Sequence, residues 1–155
     1  ATVKKLDPNY ELIRKIAAES QMPISYTGGI KKVEQVKKII GYGVEKVGIS
    51  SSAISNPDLI LNASKEVGSQ SIVIVLDVKK KFLGGYSVYT HNGKISTGHK
   101  FENLVKNFVE KGVGEFVINS IDNDGKMMGY DFNIIRLIRN LVPVPITLIG
   151  GAGSI

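Results

Sequence analysis

The sequence predicts an α/β fold: a (β/α)8 barrel with twofold internal symmetry. Two observations carry that reading. Short β-branched runs are followed by turn residues and then by amphipathic stretches of about ten to fifteen residues, the signature of repeated βα units around a parallel sheet. A block of sequence also recurs. Leu12-Ile13-Arg14, Ile16, Pro23-Ile24 and Gly28-Gly29 reappear as Ile134-Ile135-Arg136, Ile138, Pro145-Ile146 and Gly150-Gly151, each pair 122 residues apart. A single offset shared by a helix, a strand and a glycine pair argues for a duplicated building block, with chance similarity between two helix–strand segments as the alternative. At about 30 residues per βα unit it spans four units, half of an eight-unit barrel.

Taken in order, Asp7 and Pro8 read as the N-cap and first residue of a helix whose apolar stripe is Leu12, Ile13, Ile16 and Ala17. Pro23 opens a strand over Ile24 to Thr27 that Gly28-Gly29 closes. A second helix sets Val33, Val36, Ile39 and Ile40 at helical spacing and stops at Gly41 and Gly43. The strand Lys46 to Ser50 meets a Ser50-Ser51-Ser52 turn, and Asn56-Pro57 starts a helix through Leu59, Ile60 and Ala63 that ends at Gly68. Ser71 to Asp77 holds an unbroken Ile-Val-Ile-Val-Leu run, of the kind buried on both faces. Residues 79–97 break the rhythm. Tyr86 to Thr90 alternates, His91-Asn92-Gly93 signals a hairpin and Lys94 to Thr97 returns, so a two-stranded excursion beyond Asp77 is expected. The βα rhythm resumes with a helix around Leu104, Val105, Phe108 and Val109, a strand from Glu115 to Ser120, and an Asp122-Asn123-Asp124-Gly125 loop. A helix from Asn133 to Leu141 and a strand from Pro145 to Ile149 lead to Gly150-Gly151-Ala152-Gly153.

Composition narrows the functional classes. The 155 residues include no cysteine, which excludes disulfides, thiol catalysis and cysteine zinc sites. No apolar run approaches the roughly 18–20 residues of a membrane span, and no signal-peptide pattern is evident, so a cytoplasmic protein without membrane partners is expected. The formal charge of +6 rests on lysine; Arg14, Arg136 and Arg139 are the only arginines. Sequence-reading nucleic-acid binders rely on bidentate arginine or aromatic platforms, so nucleic acid is not the expected partner. A solvated basic surface and phosphate-bearing ligands remain open.

In such barrels the strand C-terminal ends carry the active site. Those ends supply Gly28-Gly29, Ser50-Ser51, Asp77, Asn119-Ser120, Asp122, Asp124-Gly125 and Gly150-Gly151. Glycine lets a ligand approach the backbone, and the serines add hydroxyl donors, so two separated anion sites are expected, with plain turns as the alternative. Asp77 ends the most apolar strand. A carboxylate there is costly unless it faces the barrel mouth, where it suits general acid–base work; capping of the following turn is the alternative. Asp122 and Asp124 lack the spacing and closing Glu of a calcium loop, and His91 and His99 are too few for a metal cluster, so no metal is expected and the histidines are read as solvated. Glu45, Lys46 and Glu115 lie near strand starts, where charges are structural or face a partner.

Several of these motifs resemble the cyclase subunit of imidazole glycerol phosphate synthase: GGI at Gly28 to Ile30, KVGISSSAI at Lys46 to Ile54 and GSQSIVIVLDVKK at Gly68 to Lys80. YTHNGKISTG at Tyr89 to Gly98, GEFVINSIDNDGKMMGYD at Gly114 to Asp131 and PITLIGGAGS at Pro145 to Ser154 extend the likeness over essentially the whole chain. The resemblance implies a (β/α)8 TIM barrel that takes ammonia from a glutaminase subunit docked at its N-terminal face and passes it to a bis-phosphorylated substrate at its C-terminal face. It implies no cofactor. Carried over residue by residue, Asp77 is the catalytic general acid. Gly29, Ser50 and Ser51 fall at one phosphate site; Asn119, Asp124, Gly125 and Gly151 fall at the substrate loop and the other phosphate site. Lys46 and Glu115 mark the ammonia entrance, with Gln70 near the same face.

Thr27, Ser50-Ser51, Asn123 and Lys126 depart from the family's usual residues. These departures look more like paralogues that work with an amidotransferase to install an acetamidino group on bacterial surface sugars. A non-catalytic scaffold and the related isomerase barrel are further alternatives, the isomerase opposed by the SIDxDG loop and the long hairpin. The resemblance maps the chain, as a single partial-barrel domain over 1–155, onto barrel strands three to seven plus the hairpin after strand five. The first, second and eighth strands then lie outside it, with the family's other catalytic aspartate, and the stretch alone is expected to be inactive.

Overall fold

The most apolar segment of the chain becomes the centre of the sheet. In the computed structural model, which describes residues 7–153, β3 (Ile72–Lys80) pairs in parallel with β2 (Lys46–Ile49) on one side and with β6 (Glu115–Ser120) on the other. Beyond these, β1 (Ser25–Thr27) pairs with β2 and β7 (Ile146–Ile149) with β6, giving a parallel path β1-β2-β3-β6-β7. The helices α1 (Tyr10–Glu19), α2 (Val33–Ile40), α3 (Ser51–Ser55), α4 (Asp58–Val67), α5 (Phe101–Glu110) and α6 (Phe132–Ile138) alternate with the strands. Sequential parallel strands joined through helices are the expected arc of a (β/α)8 barrel.

Each strand sorts its side chains by the twofold alternation of the pleat. Ile72, Ile74, Leu76 and Val78 are fully buried and share a core with Phe116 and Ile118 of β6 and with Ile60, Ala63, Val105 and Phe108 of the helices. The intervening Val73, Val75 and Asp77 lie on the opposite face, in register with Glu115, Val117 and Asn119. Sheet-to-helix packing therefore holds the fold, and the other face carries Asp77, Asn119 and Glu115.

The expected hairpin forms as β4 (Tyr86–Thr90) and β5 (Ile95–Lys100). β3 runs three residues past the expected end at Asp77, because β2 pairs only as far as Ile74 and β4 takes its place, antiparallel, from Asp77 to Lys80. At the base of the hairpin Tyr86 is buried, and its Oη donates to Asp131 at 2.7 Å. Burial first, and then that carboxylate, hold the phenol well above its ordinary range, so Tyr86 stays a proton donor.

The 122-residue repeat is a structural one. α1 recurs as α6 followed by a short 3-10 turn, Arg139–Leu141. Asn9 caps α1 by accepting from the Leu12 N–H, and its counterpart Asp131 caps α6 by accepting from the Asn133 N–H. This corrects the expected start of α1. Asp7 is no cap and instead accepts from Lys31 and Gln35 at 3.3 and 3.4 Å. The apolar stripe of α1 also needs correction, since Leu12 and Ile16 are 53% and 51% exposed, while their repeat partners Ile134 and Ile138 are fully buried beside α5. The Ser50-Ser51-Ser52 turn is the start of α3, and the last expected helix ends at Ile138 rather than Leu141. No helix among the described residues is long and apolar enough to cross a membrane.

One glycine sets how closely the strands approach. Gly48 stands opposite Thr27 in the β1–β2 register, and a Cβ at residue 48 would collide with the Thr27 side chain. Gly48→Ala is therefore expected to lower unfolding stability by about 1–3 kcal/mol, as overpacking does. Adding Thr27→Ala should recover part of that loss in a denaturant double-mutant cycle; additive losses would show that the contact is not the cause.

Candidate functional site

The C-terminal ends of β1 and β2 open into a cavity of about 520 Å³. Gly28-Gly29 reaches it from β1, both residues at positive φ (123° and 72°), a geometry glycine adopts without a steric penalty. Ser50 and Ser51 reach it from the β2–α3 junction. Their hydroxyls have no protein hydrogen-bond partner among the described residues, whereas Ser52 is committed to the Ile30 carbonyl. Gly29, Ser50 and Ser51, grouped from the sequence, are thus brought to one cavity.

The hairpin completes this cavity, which the sequence reading missed. Thr90, His91, Thr97 and His99 join its lining; of the two histidines read as solvated, His91 is half-buried at the cavity and His99 is exposed at its edge. The available signal was weak. It lay in β4 replacing β2 beside β3, a pairing that folds the hairpin back over the ends of β1 and β2.

Asp77 lies apart from this cavity, half-buried on the ligand face of β3, and Asn119 Nδ2 donates to its Oδ1 at 2.9 Å. This is not the arrangement of a turn cap. The capping role falls to Asp122, whose Oδ2 accepts from the Lys80 N–H at 2.8 Å. The amide of Asn119 fixes one carboxylate oxygen of Asp77 and leaves Oδ2 for another partner.

The second glycine pair is placed differently from the first. Gly150 and Gly151 also have positive φ, but a Cβ at Gly151 would collide with the Gly129 carbonyl, and the Gly129 N–H donates to the Gly151 carbonyl at 2.8 Å. Asn123 Nδ2 donates to the Gly129 carbonyl at 2.9 Å. The segment from Asn123 to Gly129 therefore lies against Gly151, while Asp124 and Gly125 are exposed on its outer side. Asp124, Gly125 and Gly151 thus meet in the loops beyond β6 and β7, while Asn119 stays within β6, hydrogen-bonded to Asp77. Ser154, which ends the PITLIGGAGS motif, lies outside the described residues. No three His, Asp or Glu side chains among the described residues are gathered as metal ligands.

At the opposite end of the sheet, Lys46 Nζ contacts Glu115 Oε2 at 2.7 Å and Thr147 Oγ1 donates to Glu115 Oε1 at 2.8 Å. Lys46, raised above the ordinary amine range chiefly by its hydrogen bond to Glu115, is held protonated. Burial pushes the Glu115 carboxyl upward, but the hydrogen bonds from Lys46 and Thr147 outweigh it and the net shift is downward. Gln70, in the short turn before β3, is exposed at this same end.

An open arc of parallel strands with helices on one face, and glycines, hydroxyls and a carboxylate at the strand C-terminal ends, defines a (β/α)-barrel protein. Comparison with known proteins makes this specific: residues 1–155 match the family described as "Histidine biosynthesis protein", and the chain belongs to that family. It is 47% identical over 156 residues to a protein of Leptospira borgpetersenii named "Putative imidazole glycerol phosphate synthase subunit HisF", a match covering 100% of this chain and 61% of that protein. A Pseudomonas aeruginosa protein named "Putative imidazole glycerol phosphate synthase subunit hisF2" is 44% identical over 149 residues, 96% of this chain and 59% of that one. "Imidazole glycerol phosphate synthase subunit HisF" of Dictyoglomus thermophilum is 37% identical over 145 residues, 94% of this chain and 58% of its own. The chain thus spans about three-fifths of the length of these relatives.

The ion pair sets an expected pH profile for stability. Because the folded Glu115 is more acidic than its ordinary value near 4.5, its contribution is complete above that value and is lost as pH falls through the lower, folded one. Because Lys46 is raised above 10.5, its contribution is complete below that value and is lost as pH rises through the higher, folded one. Denaturant melts across pH should show both limbs, and Glu115→Gln should flatten the acid one. An unchanged acid limb in that variant would assign the loss to other carboxylates.

Proposed function

We propose that this chain is the central part of a cyclase subunit of the imidazole glycerol phosphate synthase type, one that uses ammonia from a glutaminase subunit on a bis-phosphorylated ribonucleotide in the cytoplasm. The observation that carries this reading is the order of side chains along the ligand face of β3 and β6. The Lys46–Glu115 ion pair stands at the strand starts, Val75 and Val117 in the middle, and the Asp77–Asn119 pair at the strand ends. On this reading the ion pair marks the ammonia entrance beneath the docked glutaminase, with Gln70 beside it. The valines line a path that neutral ammonia crosses at far smaller desolvation cost than ammonium. Asp77, oriented by Asn119, serves as the general acid at the mouth.

The ligand is held at its two ends. Gly29, Ser50 and Ser51 bind one phosphate through the cavity above β1 and β2. Asp124, Gly125 and Gly151 bind the other end through the loop after β6. No cofactor is required, and the chain forms one partial-barrel domain.

A second reading concerns the substrate. The relatives at 47% and 44% identity carry qualified names, one of them numbered as a second copy, while the relative named without qualification is 37% identical. Together with Ser50, Ser51, Asn123 and Lys126, this gradient favours a paralogue that uses the same ammonia chemistry to supply an acetamidino group to a surface sugar. Turnover on the bis-phosphorylated ribonucleotide by the full chain with its glutaminase selects the first reading, and turnover only on the sugar precursor selects the second.

Asp77→Asn in the full chain is expected to retain ligand binding and lose turnover by roughly 10²–10⁴-fold, the usual worth of a general acid. The loss should be equal with glutamine and with ammonium salts as nitrogen source. Glu115→Ala should instead depress glutamine-driven turnover more than ammonium-driven turnover. Wild-type turnover in Asp77→Asn would remove that carboxylate from the mechanism, and equal losses from both nitrogen sources in Glu115→Ala would remove the entrance role.

A further inference from the structure

The β4–β5 hairpin brings two imidazoles, His91 and His99, to the cavity that Gly29, Ser50 and Ser51 also line. The ionisable side chains lining that cavity are these two histidines and Lys31, and no carboxylate is among them. Lys31 is already bonded to Asp7 at 3.3 Å, so the histidines are the ring donors closest to hand for an anion. His91 has φ 55°, followed by Asn92 at 59° and Gly93 at 74°, in a turn closed by the Lys94 N–H donating to the Thr90 carbonyl at 3.1 Å. This left-handed backbone is what a tight hairpin turn requires, and it sets the His91 ring at the cavity. The ring is also fixed. His91 Nδ1 lies 3.0 Å from Oγ1 of Thr90, itself buried, which leaves Nε2 without a protein partner among the described residues. When the Thr90 hydroxyl donates to Nδ1, the proton sits on Nε2, and that nitrogen is a donor for a ligand oxygen.

We propose that His91 and His99 are ligand-binding residues that complete this cavity by donating to the oxygens of a phosphate monoester, so that the hairpin is a recognition element. The inference rests on the reading of Gly29, Ser50 and Ser51 as a phosphate site. Calorimetric titration of the full chain with ribose 5-phosphate tests both together. Wild type binds, and Ser50→Asp, which puts a negative charge in the cavity, abolishes binding. His91→Ala and His99→Ala each weaken binding by roughly five-fold, the scale of one lost hydrogen bond, and the double variant weakens it further. His91→Gln, which keeps a side-chain N–H, loses less than His91→Ala. Exposed His99 can be replaced without disturbing the fold, so its variant gives a reading even if residue 91 tolerates no change. Wild-type affinity in the histidine variants, with binding still abolished by Ser50→Asp, overturns the proposal and leaves the phosphate site standing. Failure of wild type to bind, or unchanged binding in Ser50→Asp, overturns the site reading and the proposal with it.

Discussion

Six residue pairs, from Val73–Glu115 to Val78–Ser120, join β3 to β6 in parallel, and side chains paired this way share a face. On one side this stacks Ile74, Leu76 and Val78 with Phe116 and Ile118 against the helices, burying area worth about 1.5–3 kcal/mol per large apolar side chain. On the other side the same register aligns Asp77 with Asn119 and Val75 with Val117. A slip of one residue would put Asp77 into the core and an isoleucine on the ligand face. Packing and chemistry are therefore fixed by one register, and the fully buried core side chains on β3 and β6 guard it.

The two glycine pairs show how one building block takes on two roles. Gly28-Gly29 and Gly150-Gly151 follow equivalent strands and share the left-handed backbone. The first backs an open cavity, while the second lies against the Gly129 backbone. The contrast comes from the inserted segments, the hairpin above the first pair and the loop after β6 above the second.

Much of this was legible in the sequence, because it depends on short-range pattern. The bounds of β6, the hairpin about His91-Asn92-Gly93 and the stops at Gly41 and Gly68 all follow from alternation and turn chemistry. The grouping of Gly29, Ser50 and Ser51 came from the family resemblance, and all three line one cavity. What could not be read was what covers what. Leu12 and Ile16 carry the same helical pattern as Ile134 and Ile138, but α6 buries its pair beside α5, whereas α1 touches α2 and still leaves Leu12 and Ile16 exposed. Periodicity announces an apolar face without naming its partner. That His91 and His99 line the cavity could not be read for a related reason, since their position depends on β4 pairing where β2 stops.

The asymmetry between the glycine pairs bears on the polarity of the ligand. On the reading proposed above, two identical half-barrels would accept a molecule with a phosphate at each end in either of two equivalent directions. Here the hairpin carrying His91 and His99 lies over the first glycine pair and the loop after β6 lies over the second, so the two ends are unlike. Duplication created the frame, and divergence of its insertions gave the frame a direction.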